Sequence, residues 1–251
     1  MDFWLIFFVI LGTFTIIFLI LALPRKKSER VPSIESLDAP DVAKAFERMA
    51  NILPFKLLRR KVISTITKLN PTGTLVDIGC GSGHLIIQIA KRFSNLDLIG
   101  VDLSEAIISA AIERAEKNNV IEKIKFEIGN VDKLPFPDDS IDFIVSTFSL
   151  HHWSDPILSF KEISRVLRKN GTCLVFDFRR NSRKFFYGLL KFATKIVVPK
   201  PLKRINEPLG SLMASYNASE ITQIFSKIPS IEVEIKPYLA WMFIKIKPQT
   251  Q

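Results

Sequence analysis

Residues 75–83 read LVDIGCGSG, and this stretch decides the fold of the chain. Its first four residues have the mostly apolar character of a buried strand, and its last five form a glycine-rich turn that leads into a helical pattern over residues 83–93. This order is typical of a doubly wound sheet, in which ligands bind beyond the carboxyl ends of the strands. Glycines there let the backbone approach a ligand closely, and the following helix offers free N–H groups.

The same alternation of strand and helix continues along the chain. Apolar runs predict strands at 74–78, 96–101, 124–128, 141–148, 172–178, 231–236 and 239–247. Helical periodicity predicts helices at 41–52, 55–69, 83–93, 104–118, 156–167 and from 217 to about 228. Asn217, followed three residues later by Glu220, predicts a capping box, and Pro237-Tyr238 predicts the turn between the last two strands. These patterns predict an α/β fold with a doubly wound, mostly parallel seven-stranded sheet.

The spacing of the glycines restricts the class of ligand. G-x-G-x-G is not the dinucleotide fingerprint G-x-G-x-x-G, because position 84 is His rather than Gly. Asp77 lies two residues before the first glycine and can face a cationic amine, where a pyrophosphate would be repelled. Asp102 ends the second strand, and its carboxylate can accept both hydroxyls of a ribose. An adenosine that carries an amino acid therefore fits better than a dinucleotide.

Five motifs over about residues 72–178 carry a family resemblance, and they follow one another in the order LVDIGCGSG, VDLS, GNVDKLPFPD, IDFIVSTFSLHHW and LRKNGTCLVFDF. Together they resemble the class I S-adenosylmethionine-dependent methyltransferases, in the branch that includes the ubiquinone/menaquinone-ring methyltransferases. The resemblance implies a Rossmann-like methyltransferase fold, S-adenosyl-L-methionine as cofactor and S-adenosyl-L-homocysteine as product.

The resemblance also implies roles for individual residues. The methionine moiety would be wrapped by Gly79, Gly81, Ser82 and Gly83, with Asp77 near its ammonium group. The adenosine would be held by Asp102 at the ribose and by Leu103, Asn130 and Val131 at the adenine, and Thr147 would lie beside the sulfonium. Read without the resemblance, Asp77 and Asp102 are also compatible with helix-capping or solvated loop carboxylates, and Asn130 with a turn residue.

Two adjacent histidines, His151 and His152, follow the fourth predicted strand, where this family places the acceptor. One of them is a candidate general base, because imidazole titrates near neutral pH. Methyl transfer from a sulfonium is a direct displacement that needs alignment and desolvation. The alternative is therefore that one histidine lines the pocket and the other caps the next helix.

The N-terminus predicts a membrane anchor. Residues 3–23 contain no charged side chain, and as a helix they would be about 31 Å long, which matches the apolar thickness of a bilayer. A cleaved signal peptide or a core helix is disfavoured, because the stretch is long, lacks a basic leader and has no polar face. Arg25, Lys26, Lys27 and Arg30 follow it, which predicts a single-pass protein with a cytoplasmic catalytic domain.

The chain is accordingly divided by function. We predict an anchor over residues 1–24, a juxtamembrane linker over 25–40 and a methyltransferase domain over 41–251. Within that domain the cofactor-binding core covers 72–178, and a basic aromatic insertion covers 181–216.

The net charge of +10 is concentrated outside the core. Residues 183–204 hold seven Lys or Arg and no acidic residue, interleaved with aromatic side chains. Such a segment either lies in a membrane interface or forms an amphipathic helix that covers the domain, and both readings stay open. Anionic lipids are the simpler partner for this charge, so no nucleic acid is expected. With only two cysteines, no metal site or disulfide framework is predicted.

The family resemblance, together with the apolar N-terminus and the basic segments, predicts a methyltransferase that acts on a lipophilic or membrane-associated small molecule by direct displacement. Two alternatives remain at this point. The acceptor could be a soluble metabolite or a protein, with the anchor serving only for localisation. The chain could also be a non-catalytic assembly protein that binds S-adenosylmethionine.

Overall fold

A computed structural model describes residues 3–23, 29–32 and 39–249 of the chain. Seven strands form one sheet: β1 (Gly73–Ile78), β2 (Leu96–Asp102), β3 (Ile124–Ile128), β4 (Ile141–Thr147), β5 (Leu167–Phe178), β6 (Ile231–Tyr238) and β7 (Trp241–Pro248). The α-helices of the described residues are α1 (Phe3–Ala22), α2 (Pro40–Ala50), α3 (Leu53–Leu69), α4 (His84–Arg92), α5 (Glu105–Lys117), α6 (Pro156–Val166), α7 (Lys184–Phe192), α8 (Lys200–Arg204), α9 (Leu209–Ala214) and α10 (Ala218–Phe225).

The sheet has the strand order β3-β2-β1-β4-β5-β7-β6. The first five strands of that order pair in parallel, and β7 pairs antiparallel with both β5 and β6. The chain moves outward from β1 through β2 to β3 and then returns to place β4 on the other side of β1. This confirms the predicted doubly wound, mostly parallel seven-stranded sheet, with its switch point between β1 and β4.

Successive side chains of the central strands enter two different cores. In β1, Leu75 packs with α3 and α4 on one face of the sheet, whereas Val76 packs with α6 and α10 on the other. Phe143 and Ile144 divide in the same way in β4. Because side chains alternate along a strand and both faces are covered, both sets must be apolar. The continuous apolar runs of the sequence have this physical origin.

In the C-terminal part of the chain, the structure confirms the predicted capping box and contradicts the predicted turn. The capping box is confirmed, since the Asn217 side chain accepts the Glu220 N–H at 3.0 Å and the Glu220 carboxylate accepts the Asn217 N–H at 2.9 Å. The predicted turn at Pro237-Tyr238 is wrong, because both residues belong to β6 and the chain reverses at Leu239 and Ala240. Pro237 is tolerated there because β6 is an edge strand.

The predicted transmembrane helix is not supported. Within residues 3–23, 29–32 and 39–249, no helix combines the length and the apolar character that crossing a membrane requires. The apolar N-terminal stretch forms α1, which packs against α7, and the Lys184 N–H donates to the Leu23 carbonyl at 3.0 Å. The absence of charge predicts an apolar environment for a helix but does not identify that environment. The basic flank Arg25, Lys26 and Lys27 and most of the linker over 25–40 lie outside the described residues.

The basic aromatic insertion over residues 181–216 folds into α7, a π-helical turn (Ala193–Val197), α8 and α9. Tyr187 and Leu190 of α7 pack with Phe178 at the end of β5. Phe185 and Leu189 on the same helix are exposed. This insertion therefore covers the carboxyl end of the sheet with one side and presents apolar side chains outward with the other.

Candidate functional site

A cleft of about 1270 Å³ opens at the switch point between β1 and β4. This volume exceeds the roughly 300–1,000 Å³ of a typical small-molecule site, so the cleft has room for two reactants. Most of the predicted site residues line it, namely Gly79, Gly81, Ser82, Asp102, Leu103, Asn130, Val131, Thr147, His151 and His152. Asp77 and Gly83 are the two predicted residues outside this lining.

The glycine-rich turn is held against the end of β2. The N–H groups of Gly79 and Cys80 both donate to the Val101 carbonyl, at 2.8 and 3.0 Å. Gly79 has φ 67°, and a Cβ there would come within 2.4 Å of the Ser149 hydroxyl. At Gly81, with φ 55°, a Cβ would meet no atom within 4 Å. The turn thus needs glycine for its backbone conformation and leaves open space in front of Gly81.

The Asp102 carboxylate joins this turn to the start of α5. It accepts the Gly81 N–H at 2.9 Å and the Ser104 N–H at 3.2 Å. The structure therefore brings together the glycine turn and the carboxylate that the sequence predicted as two walls of one cleft. Leu103, next in the chain, is 69% exposed and presents an apolar surface to the cleft.

Asp77 is completely buried at the end of β1, with a relative exposure of 1%. Neither of its carboxylate oxygens has a hydrogen-bond partner among the described residues. Burial, assisted by the nearby negative charge of Asp102, raises the pKa of the Asp77 carboxyl well above its usual range. A buried carboxyl without donors is costly to the free protein and is suited to a cationic ligand. The helix-capping reading of Asp77 does not apply, since Asp77 accepts no backbone N–H.

Ser82 lines the cleft and also contacts the helix that covers the glycine turn. Its hydroxyl donates to the Glu47 carboxylate of α2 at 2.8 Å. The same carboxylate pairs with Arg114 of α5 and lies 3.1 Å from His84 Nε2. Burial and the positive charge of Arg114 lower the pKa of His84 to about 4, so its ring is neutral at physiological pH. The Ser82 side chain thus ties α2 over the glycine turn.

The residues after β3 have the predicted location. Asn130 lines the cleft, but its Oδ1 already accepts the Asp132 N–H at 3.0 Å, which is the geometry of an Asx turn. The oxygen keeps a second lone pair, so the turn role and the predicted adenine contact are compatible. Val131 and Thr147 also line the cleft.

His151 forms a buried pair with Asp177, a residue that the sequence analysis did not select. His151 Nδ1 lies 2.8 and 2.9 Å from the two carboxylate oxygens of Asp177, which also accept the His151 backbone N–H at 2.9 Å. His151 Nε2 is buried without a hydrogen-bond partner in the described chain. Because the carboxylate only accepts, Nδ1 is the donor in this pair, and Asp177 fixes the orientation of the imidazole ring.

His152 does not cap the next helix, contrary to one predicted role of this pair. The N-cap of α6 is Asp155, whose side chain accepts the Ile157 and Leu158 N–H groups at 2.9 and 3.0 Å. The ring of His152 instead lies against that of His151, with 3.9 Å between centroids. Aspartate is the stronger N-cap because its carboxylate reaches two free N–H groups of the first turn.

Aromatic side chains form part of the cleft lining. Phe55 of α3 makes an edge contact with Phe148, at 5.8 Å between centroids, and Phe148 lies 5.2 Å from Phe178. All three line the cleft, together with Phe46 and Met49 of α2. This part of the cleft is suited to an apolar reactant.

Sequence reasoning missed two residues that line the cleft, Glu47 and Arg114, and one buried residue behind it, Asp177. Glu47, Arg114 and Asp177 come from elements far apart in the chain and act through side-chain contacts. Asp177 carried a weak signal, since a carboxylate within a strand that is otherwise apolar needs a buried partner. Glu47 and Arg114 sit on amphipathic helices among other charged residues, where no local pattern distinguishes them.

The residues present fit S-adenosylmethionine. The unpartnered Asp77 carboxyl suits the ammonium group, the open space at Gly81 admits the methionine chain, and Asp102 offers carboxylate oxygens to the ribose. When bound, this cofactor supplies an electrophilic methyl group on a sulfonium.

Known proteins agree with this assignment. Residues 69–220 match the family described as Methyltransferase domain. The ubiquinone/menaquinone biosynthesis C-methyltransferase UbiE of Rickettsia bellii is 27% identical over 182 residues, which cover 70% of this chain and 72% of that protein.

Solved structures share the fold. An S-adenosyl-L-methionine-dependent methyltransferase from Methanococcus maripaludis has a TM-score of 0.66 at 20% identity, covering 90% of this chain and 98% of that one. The plantazolicin methyltransferase BpumL, solved with a triazolic desmethylPZN analogue and S-adenosylhomocysteine, has a TM-score of 0.66 at 18% identity, covering 85% of this chain and 93% of that one. The chain therefore belongs to the methyltransferase-domain family and is an S-adenosylmethionine-dependent methyltransferase.

Proposed function

We propose that this methyltransferase acts on a lipophilic small molecule that carries an acidic hydroxyl group, and that it does so at a membrane surface. A hydroquinone-type ring belongs to this class of acceptor. The observation that carries the proposal is the unpartnered Nε2 of the buried His151–Asp177 pair, in a cleft with an aromatic wall. The name of the Rickettsia bellii relative, a quinone C-methyltransferase, supports the same class of acceptor.

His151 is the general base in this proposal. Its Nε2 accepts the proton of the acceptor O–H while the acceptor attacks the methyl carbon. The bound cofactor would supply the methyl group and would leave as S-adenosylhomocysteine, with the electron pair of the broken carbon–sulfur bond on sulfur. If the acceptor oxygen attacks, the proton taken by His151 is the only one released. If a ring carbon attacks, its C–H proton is also lost, which restores the aromatic ring. The Asp177 carboxylate fixes the ring orientation and stabilises the positive charge that His151 gains.

Contact with the membrane is proposed for two helices that pack together. Large apolar side chains of α1 are exposed, with Trp4 at 65% and Phe14 at 69%. On α7 and the following turn, Phe192 is 57% and Val197 is 67% exposed, among exposed lysines of a segment without acidic residues. Exposed apolar groups beside cations favour an anionic bilayer surface. The basic residues Arg25, Lys26 and Lys27 favour the cytoplasmic face, because its lipids are anionic.

The acceptor class is tested by incubating the enzyme with methyl-labelled cofactor and a membrane extract, followed by mass analysis of the labelled products. We expect the label in the lipid-soluble fraction, on a molecule with a hydroxylated ring. A label confined to soluble metabolites or to proteins would contradict the lipophilic acceptor. Absence of label from every fraction of the extract would contradict an acceptor that resides in the membrane.

The general base is tested by the pH profile of kcat for wild type, His151→Gln, Asp177→Asn and His152→Gln. We expect His151→Gln to lower kcat by about 10²–10⁴-fold and to remove the acidic limb of the profile. His152→Gln should keep that limb, which makes it the matched control. Thermal unfolding and cofactor titration of each variant separate catalysis from folding. An acidic limb that survives His151→Gln and disappears in His152→Gln would contradict the assignment.

A further inference from the structure

A second, smaller cavity of about 370 Å³ lies beside the cofactor cleft. Three helices contribute cationic side chains to it: Lys56, Arg59 and Arg60 from α3, Lys91 from α4 and Arg114 from α5. The amide side chains of Asn51, Gln88 and Asn118 complete most of the lining, and none of its lining residues is acidic. The cavity is therefore rich in hydrogen-bond donors: its cationic side chains only donate, and its amide side chains both donate and accept.

The positive charge of this cavity is largely unbalanced. Among the described residues, Arg114 alone of the five cations forms an ion pair, with Glu47. Lys91 Nζ donates to the neutral Asn118 side chain at 2.6 Å, and an Arg59 terminal nitrogen donates to the Ala50 carbonyl at 2.8 Å. Arg59 Nε is buried and has no partner in the described chain. A buried guanidinium N–H without an acceptor is costly, so an added anion would stabilise the site.

The environment of Arg59 supports the same conclusion. Burial, followed by the positive charge of Arg114, lowers the pKa of the Arg59 guanidinium, and the negative charge of Glu47 offsets this effect only in part. Two cations that disfavour each other at one cavity create a local positive potential, which attracts a ligand of opposite sign.

We propose that this cavity binds a phosphate group. A phosphate offers three or four acceptor oxygens and up to two negative charges. With Arg114 paired to Glu47, two guanidinium groups and two ammonium groups remain in the cavity, and a phosphate matches these four cations better than a single carboxylate does. The site is separate from the acceptor and the reaction proposed above, and it does not depend on them.

Two sources of this phosphate are compatible with the surroundings. One is a soluble phosphate-bearing metabolite. The other is a lipid headgroup, since the exposed apolar side chains of Ile52, Leu53 and Leu57 occupy the same first turns of α3 as Lys56. Acyl chains would then pack on these side chains while the phosphate enters the cavity.

The test uses the full chain with the double variant Lys56→Gln/Arg60→Gln. These two side chains are exposed, and they line the small cavity but not the cofactor cleft. Arg59 and Arg114 line both. The matched control is Lys123→Gln/Lys125→Gln, which removes the same charge from exposed positions around the start of β3. Thermal unfolding and titration with S-adenosylmethionine should be unchanged in both variants, and these readouts report on the fold and the methyltransferase function independently.

Binding is measured in two arms at fixed ionic strength. One arm titrates inorganic phosphate and pyrophosphate by calorimetry, and the other measures flotation with vesicles of phosphatidylcholine containing phosphatidylglycerol. We expect saturable binding in at least one arm, weakened roughly tenfold or more by Lys56→Gln/Arg60→Gln and little changed by the control. Binding in the first arm identifies a soluble ligand. Flotation that Lys56→Gln/Arg60→Gln weakens, without binding in the first arm, identifies a headgroup, because membrane contact through α1 and α7 does not involve these two side chains. The proposal is overturned by absence of binding in both arms, or by an equal loss in the control variant.

Discussion

We predict that Asp77→Asn stabilises the protein in the absence of cofactor and weakens its binding of S-adenosylmethionine. Asp77 is 1% exposed, and both carboxylate oxygens lack a partner among the described residues. Asparagine has nearly the same shape and carries no charge, so the substitution removes the cost of burying a carboxylate without breaking a hydrogen bond. It also removes the charge that we expect to face the ammonium group of the cofactor.

The effect on stability depends on pH in a defined direction. Burial raises the pKa of Asp77 in the folded protein above its unfolded value of about 3.9. The stability that Asp77 contributes is therefore fully present below about pH 4 and is lost as the pH rises toward the folded pKa. Each pH unit in this window lowers the free energy of unfolding by up to about 1.4 kcal/mol. Because asparagine does not titrate, the advantage of Asp77→Asn should grow with pH.

The effect on binding has the opposite sign. Loss of an interaction between a carboxylate and an ammonium group costs about 1.5–3 kcal/mol, which is roughly a 10–150-fold rise in Kd. Calorimetric titration with S-adenosylmethionine measures this change, and titration with adenosine, which lacks the amino acid, is the matched control. The reasoning would be refuted if Asp77→Asn lowered the Tm between pH 5 and 8, or if adenosine lost as much affinity as the cofactor.

Three further predictions concern the glycine turn and the helix that covers it. Glu47→Gln weakens the contact of α2 with the turn. Because solvent partly screens this carboxylate, we expect the free energy of unfolding in urea to fall by only about 1 kcal/mol. The control Glu113→Gln removes an exposed pair and should leave the unfolding midpoint unchanged. Gly79→Ala places a Cβ within 2.4 Å of a serine hydroxyl at positive φ, so it should lower the free energy of unfolding by about 1–3 kcal/mol and prevent cofactor binding. Gly81→Ala has open space at its Cβ and should lower the Tm less. The pKa of His84 is about 4 in the folded protein, below its unfolded value, so the stability that His84 contributes is present above about pH 6.5 and is lost as the pH falls toward 4. His84→Gln should therefore reduce the loss of stability between pH 6.5 and 4. If the loss were unchanged in this variant, His84 would not be its cause.

The sheet was predictable because its information is local. Buried parallel strands must be apolar on both faces, so continuous apolar runs mark them without knowledge of their neighbours. The capping box at Asn217 is equally local, since both partners lie within one helical turn. The turn after β6 was not predictable, because Pro237 usually interrupts a strand and only its edge position permits it here.

The features of the cleft that could be predicted are likewise the local ones. The glycine turn and Asp102 follow adjacent parallel strands, so their proximity was implied by the order of elements. The partners Glu47 of Ser82 and Asp177 of His151 were not implied, because these contacts join residues 35 and 26 positions apart through side chains. The environment of the apolar N-terminal stretch was not implied either, since composition indicates that a helix needs apolar surroundings but not which surroundings it finds.

The amino-acid sequence by itself determined the doubly wound sheet, the glycine turn and the carboxylate at residue 102, because periodicity and backbone conformation are properties of a few neighbouring residues. Tertiary structure alone decided that Asp77 is left without a donor, that His151 is oriented by Asp177, and that five cations meet at one small cavity. These properties depend on burial and on distances between distant segments, and both quantities exist only once the helices have packed on the sheet.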